Sequence, residues 1–316
     1  MRALGDVTHE SWLETGRIYD PDQLGVRLAE SGTDVLIVEA DFVFEELFDA
    51  APGLRLVGIC RNALNQVDID SATEHDVVVT HARGRNTNAV AEMTLGLMLS
   101  LARQIPRAHA LVAGGGWRDP VAGYRMLRGS EIAGSTVGVI GFGQIGREVA
   151  RKCIALGAHV LVADPLVPPQ EIAATGAEPA EPGALAEGVD WVTLHVPVNE
   201  STARLVDDAF LARMRRTAYL INTSGGSVVD TPALVAALES GRIAGAALDV
   251  FEGHPLPLSS PLLSAPNLLL TPHIGGATAE TVERQSRMMV EEVARLLAGE
   301  PLLYAVNPEA DPARAR

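Results

Sequence analysis

Lysine is almost missing from this chain of 316 residues: of its 25 basic residues only Lys152 is one, and the rest are arginines. That is a bias of composition and carries no function. Basic residues as a whole are short against 40 acidic ones, leaving a formal net charge of −15 at pH 7. Nucleic acid and anionic membrane surfaces are recognised through a basic footprint, so no nucleic acid and no membrane is expected as a partner. There are two cysteines, Cys60 and Cys153, at no disulfide or metal-ligand spacing. They read as buried thiols of a reducing, cytoplasmic setting, and no metal site is expected. No uncharged apolar run reaches the roughly 18 residues that span a bilayer. The opening MRALGDVTHESW lacks the apolar core of a secretory signal.

What is present suits an α/β protein. Hydrophobic residues make up 47% of the chain, enough for two cores on a prior of roughly 100–200 residues per domain. Nine β-rich runs, at 33–40, 54–60, 76–82, 135–143, 158–164, 189–197, 218–224, 244–251 and 267–273, alternate with amphipathic stretches. That alternation predicts parallel sheets with helices on both faces. Residues 87–116 predict a long helix broken near Pro106, with Val90, Thr94, Leu97, Met98 and Leu101 at helical spacing. A second helix over 278–301 would put Val282, Met289, Val293, Leu296 and Leu297 on one face. If both cross between domains, residues 1–86 plus 278–316 form one domain and 87–277 the other; two sequential domains are the alternative. The tail NPEADPARAR predicts a mobile end.

GFGQIG at 141–146 follows a strand-like run and opens a helical one, and the strand-like run after that ends at Asp164. In such a unit Gly141 permits the tight turn, Gly143 lets a pyrophosphate approach the backbone at the helix N-terminus, and Gly146 lets helix and strand pack. Asp164 can accept from both adenosine ribose hydroxyls and repel a 2′-phosphate, which favours NAD over NADP as cofactor.

With NTNAVAE (86–92), TLHVPVNEST (193–202), INTSGGSVVDTPAL (221–234), AGAALDVFEGHPLP (244–257) and LTPHIGGAT (270–278), this loop completes a pattern. The chain resembles the D-isomer-specific 2-hydroxyacid dehydrogenases from about residue 54 to 278. The resemblance implies two Rossmann-like, doubly wound parallel-sheet domains. The NAD-binding domain is inserted into a flavodoxin-like substrate domain, and a homodimer forms through the cofactor domain. It implies a hydride transfer between NAD and a small anionic 2-hydroxy or 2-oxo acid. It places Gln144 and Ile145 at the pyrophosphate, His195, Val196, Pro197 and Thr202 beside the adenosine half, and Thr223 and Ser224 near the nicotinamide. Asp249 would take the carboxamide, Gly275 and Gly276 would line the cofactor, and His273 would be the acid/base. Imidazole suits that work, because its proton exchanges near neutral pH.

Two positions depart from the pattern. The family has Arg where this chain has Gly225, a guanidinium that grips the substrate carboxylate, and Glu beside the catalytic His where this chain has His254. Losing a bidentate Arg removes two charge-assisted hydrogen bonds of about 1.5–3 kcal/mol each. Three explanations stay open. Another arginine takes the anion, with Arg61 in CRNALNQVD the leading candidate and Arg83, Arg85 and Arg125 behind it. Or the substrate differs, carrying a phosphate or phosphonate, or no carboxylate beside the carbinol. Or the chain is a non-catalytic NAD(H)-binding sensor. If His254 faces His273, the two imidazoles would exchange protons as a coupled pair.

Overall fold

The computed structural model describes residues 1–314. They divide into two compact units, one formed by Met1–Arg85 with the chain from Thr278 onward, the other by Asn86–Ala277. No helix among the described residues is long and apolar enough to cross a membrane.

The first unit holds three parallel strands, β1 (Val35–Val38), β2 (Leu56–Ile59) and β3 (Val78–His81), in that order. Successive side chains of a strand face opposite ways, and both faces here are covered. Val57, Ile59 and Val79 pack with Leu47 and Phe48, whereas Leu56 and Val78 pack with Val293, Leu296 and Leu302.

The helix Ala279–Ala298 covers that second face, but not with the stripe the sequence suggests. Met289, Val293 and Leu296 are buried, while Val282 and Leu297 are 54% and 49% exposed. Thr281, Gln285 and Glu292 take the buried face with them. Glu292 lies there because every demand of its carboxylate is met: it accepts from the Thr80 hydroxyl at 2.7 Å and from the N–H groups of Leu303 and Tyr304 at 3.0 and 3.1 Å.

The expected mobile tail is corrected too. Asn307 is buried; its side chain accepts from the Val79 N–H at 2.7 Å and donates to Thr73 Oγ1 at 2.8 Å and the Val77 carbonyl at 3.0 Å. Asp311 accepts from the Leu302 N–H at 2.9 Å. Polar residues that read as a solvated end serve instead to complete the edge of β3. The last two residues of the tail lie outside the described residues.

The second unit carries β4 (Thr136–Ile140), β5 (His159–Ala163), β6 (Glu178–Pro179), β7 (Trp191–Leu194), β8 (Tyr219–Asn222), β9 (Gly245–Leu248) and β10 (Leu268–Leu270). All seven run parallel in the order β10-β9-β8-β7-β4-β5-β6. The chain winds outward from β4 to β6, returns to lay β7 against β4, and winds the other way. The strand order therefore reverses between β4 and β7, and ligands of open parallel sheets bind at the carboxyl ends beside such a reversal. All nine β-rich runs of the sequence contain a strand; the two-residue β6 was not among them. The long helix of 87–116 is two, Thr87–Ala102 and Ile105–Ala113, separated by Gln104 in a left-handed conformation (φ 52°). Pro106 stands in the first turn of the second, where its missing N–H costs no helical bond.

Replacing Asn307 by Ala leaves the Val79 N–H and the Val77 carbonyl without a side-chain partner, at about 1–3 kcal/mol for each buried group left unpaired. The variant is expected to lose roughly 2–6 kcal/mol of stability in urea unfolding and to become sensitive to proteolysis after residue 300. A stability change within about 0.5 kcal/mol, the range of ordinary surface substitutions, would show the tail to be ornamental.

Candidate active site

At the carboxyl end of β4 the loop 141–146 turns into the helix Gln144–Ala155. Gly141 has φ 91°, and a Cβ there would lie 2.5 Å from the His195 carbonyl oxygen. A Cβ at Gly146 would run into the Gly141 carbonyl. Both glycines are thus demanded by the chain itself. Gly143 is not: it caps the helix with φ −70°, and a Cβ there would meet nothing within 4 Å. Open space in front of unpaired N–H groups at a helix start is what a pyrophosphate needs, so these residues fit a dinucleotide. Gln144 is exposed beside it and Ile145 half-buried.

Asp164, just after β5, accepts from the Phe142 N–H at 2.7 Å with one oxygen and from the Leu166 N–H at 2.9 Å with the other. Its carboxylate is thereby fixed against the glycine loop with lone pairs to spare. His195 follows β7; Nε2 lies 2.9 Å from Thr193 Oγ1, and Nδ1 is sealed without a partner. The residue keeps some surface, but Nδ1 does not, and burial pushes the imidazole down to about 3. It therefore stays neutral. Val196 is half-buried against Gly141, and Pro197 is exposed. The Thr202 hydroxyl donates to the Pro197 carbonyl at 2.6 Å and accepts from the Asn199 N–H at 2.9 Å, which fastens the loop 197–202 onto itself.

Past β8, Asn222 organises the next loop. Its Oδ1 accepts from the N–H of Ser224 at 3.0 Å and from the Ser224 hydroxyl at 2.8 Å, and its Nδ2 donates to the Gly225 carbonyl at 2.9 Å. The Thr94 hydroxyl gives its one proton to the Val90 carbonyl, so at 3.0 Å it accepts that of Thr223. Asn222 and Thr94 were missed by the sequence reading; Asn222 sat inside the quoted motif, whereas Thr94 looked like core. Gly225 is extended, with φ −156°, and carries no strain. Gly226 has no such freedom, since a Cβ there would overlap the Phe251 carbonyl.

That contact leads to the histidines. The Phe251 ring lies 5.9 Å from that of His254, which is 5.0 Å from the ring of His273. Both imidazoles are exposed. His273 has φ 55°, a left-handed conformation that is costly for a non-glycine residue. Asp249 holds it there. Its buried carboxylate accepts from the Thr271 hydroxyl at 2.5 Å and from the N–H groups of Ile274 and Gly275 at 3.0 and 2.7 Å, on both sides of His273. Gly275 and Gly276 leave room for this: a Cβ on the first would press on Asp249 Oδ2 and on the second against Asn86.

The candidate cations fare differently. Arg85, in the first unit, is committed to Gln285 and to Glu39, the latter at 3.8 Å. Arg83 and Arg125 are exposed. Arg61, directly after Cys60 at the carboxyl end of β2, is half-buried and makes no ion pair or side-chain hydrogen bond among the described residues. No group of three metal-ligating side chains occurs among them either.

Residues 95–275 match the model of the D-isomer specific 2-hydroxyacid dehydrogenase, NAD binding domain. The chain belongs to this family. It is 38% identical over 283 residues to a glyoxylate reductase of Thermofilum pendens, covering 87% of this chain and 81% of that protein. Against the D-3-phosphoglycerate dehydrogenase of Mycobacterium leprae the identity is 36% over 306 residues, but the chain, 96% of it aligned, spans only 56% of that longer protein. Among solved structures, the NAD-complexed D-isomer specific 2-hydroxyacid dehydrogenase of Lactobacillus delbrueckii ssp. bulgaricus superposes with a TM-score of 0.77 at 27% identity, over 89% of this chain and 88% of that one. The second unit is thus this family's NAD-binding domain, with NAD as cofactor.

Two measurements test the geometry. Gly143→Ala should leave thermal stability nearly unchanged and weaken NADH binding at least about tenfold, whereas Gly146→Ala should destabilise the fold itself by about 1–3 kcal/mol; equal effects on both properties would refute the division of roles. For His195, the unfolded chain takes a proton near the ordinary value of about 6.5 and the folded one only near 3. Its stabilising effect is complete above pH 6.5 and is lost progressively as pH falls toward 3. The stability margin of the wild type over His195→Gln should therefore shrink across that window; a margin constant with pH would contradict the burial of the ring.

Proposed function

We propose that the chain is an NAD-dependent oxidoreductase that acts on the CH–OH group of a small anionic 2-hydroxy acid or a related phosphorylated or phosphonate alcohol, or on its oxo form. The observation that carries this reading is His273: an exposed imidazole held in a costly backbone conformation by a buried carboxylate, in the same unit as the dinucleotide loop. Backbone strain kept in place by dedicated bonds is typical of functional positions.

Bound NAD supplies the acceptor or donor of hydride at its nicotinamide. The chain does the rest. The N–H groups at the start of the Gln144 helix receive the pyrophosphate, with Gln144 and Ile145 beside it, and Asp164 accepts from the ribose hydroxyls. Val196, Pro197, the Thr202-fastened loop and the backbone of His195 border the adenosine half. Thr223, Ser224 and Gly225 border the nicotinamide, with Gly275 and Gly276, and Asp249 retains one lone pair for its carboxamide. His273 takes the hydroxyl proton in oxidation and returns it in reduction. His254 stands beside it where the family has a carboxylate, and can pass that proton on. Arg61 engages the substrate's anionic group, being the half-buried one of the three candidate arginines still uncommitted.

Ile105, Val112, Trp117, Val121, Tyr124 and Met126, all exposed apolar side chains within one stretch of the chain, are available to a second copy, which supports a homodimer. The buried free thiols of Cys60 and Cys153, raised by burial to about 11 and about 12, suit a reducing cytoplasm. One observation favours a second reading, a non-catalytic NAD(H) sensor: Gly225 and His254 stand where the family's Arg and Glu would be.

His273→Gln should lower kcat by about 10²–10⁴-fold with NADH affinity intact. Arg61→Ala should raise the substrate KM roughly 10- to 150-fold, the loss of one charge-assisted hydrogen bond. Unchanged kinetics in both would remove these roles. Tight NADH binding with no turnover across hydroxy and oxo acids, phosphorylated ones included, would leave the sensor.

A further inference from the structure

We propose that Val198 determines substrate specificity: with Gly225 it forms an uncharged, apolar wall beside the His254–His273 pair, selecting carbonyl compounds whose carbonyl carbon carries no carboxylate. This deepens the oxidoreductase reading and rests on it.

A Cβ on Gly225 would lie 2.2 Å from Cγ2 of Val198, well inside van der Waals contact, with Val228 Cγ2 at 3.8 Å. The extended backbone of Gly225 would accept any residue, so the glycine is there because another side chain already fills the space. Val198 is 56% exposed, an apolar group presented to the solvent side of the loop. Its backbone is fixed on both sides, because the Thr202 hydroxyl holds the carbonyl of Pro197 before it and the N–H of Asn199 after it, so its methyl groups stay at this place in the loop.

The loop that carries Gly225 is linked to the histidines by the contacts already described: Gly226 lies against the Phe251 carbonyl, and the Phe251 ring is 5.9 Å from that of His254, which is 5.0 Å from that of His273. The one arginine of the segments 197–204, 222–230 and 249–254, Arg204, whose N–H donates to the Ser227 carbonyl at 2.7 Å, is turned to Asp230 with Nη1 3.7 Å from its carboxylate. The other charged residues on these segments, Glu200, Asp230, Asp249 and Glu252, are acidic. A carboxylate pressed against methyl groups and glycine backbone in such surroundings loses water without gaining a partner. A hydrogen or an uncharged carbon substituent loses nothing there. The substrate's charge must then sit further from the reacting carbon. In the reduction, the carbonyl carbon takes a hydride from NADH, which leaves as NAD⁺, and the oxygen takes a proton from His273.

Two matched pairs of probes differ by that one carboxylate: 2-oxoglutarate with succinic semialdehyde, and 3-phosphohydroxypyruvate with glycolaldehyde phosphate. In each pair turned over, the wild type should favour the aldehyde in kcat/KM by at least about tenfold, and Gly225→Arg/Val198→Gly should cut that ratio by at least about tenfold. Val198→Arg, at an exposed loop position, should cut it similarly and covers the case in which the double variant does not fold. A wild type that prefers the oxo acids, or ratios unmoved in every folded variant, would overturn the proposal. Oxamate titrated into the protein–NADH complex, followed by NADH fluorescence, reads the wall without turnover. It should bind the variants at least about tenfold more tightly than the wild type, and equal affinity overturns the wall. If no probe is turned over while oxamate discriminates as expected, the oxidoreductase reading fails and the wall stands. Without any cofactor, Gly225→Ala should lower Tm, and adding Val198→Gly should restore part of the loss; additive effects would show that the two positions do not share a volume.

Discussion

The structure turns on the carboxylate of Asp249. Three donors from the turn 271–275 converge on it, the Thr271 hydroxyl before His273 and the backbone N–H groups of Ile274 and Gly275 after it. A buried charge is tolerable when its oxygens are satisfied, and here the satisfaction has a geometric product: an imidazole in a left-handed residue, projecting from the end of a parallel sheet. β9 ends one residue before Asp249 and β10 one residue before Thr271, so the pairing of these two strands sets the span that the carboxylate bridges.

The glycines of the second unit separate into those the chain requires and those it does not. Gly141, Gly146 and Gly226 are pinned by neighbouring backbone, so they report on the fold. Gly143 faces open space and Gly225 faces a movable side chain, so they report on what comes from outside. The distinction matters for reading a departure from a family pattern. A glycine forced by backbone would say little about chemistry, whereas no backbone atom requires a glycine at position 225.

Much of this was legible in the residues. Nine strands stood in the β-rich runs, because buried parallel strands are continuous apolar segments, and GFGQIG with Asp164 announced the first βαβ turn. What stayed hidden depends on partners distant in sequence. Glu292 and Asn307 look like surface residues until the groups they satisfy, on Thr80 and Val79 at the far end of the chain, are placed beside them. Val282 and Leu297 fit a helical stripe, yet polar side chains with better partners take the buried face. At the site, motif letters identified Asp249 and His273 but not the bonds between their segments. Nothing in NTSGGS or HVPVNE says that Val198 lies over Gly225; that follows only from the fold.

The anchoring of Asn307 on β3 also bears on how the molecule is made. The second unit is one continuous stretch of chain, complete once residue 277 has left the ribosome. The first is split, and its opening segment, Met1–Arg85, waits for the Ala279–Ala298 helix and the Asn307 segment to cover Leu56 and Val78 and to satisfy the N–H of Val79. During synthesis the N-terminal sheet is therefore a nascent surface with one apolar face bare while the whole of Asn86–Ala277 is elongated, and the order of assembly is the reverse of the order of translation.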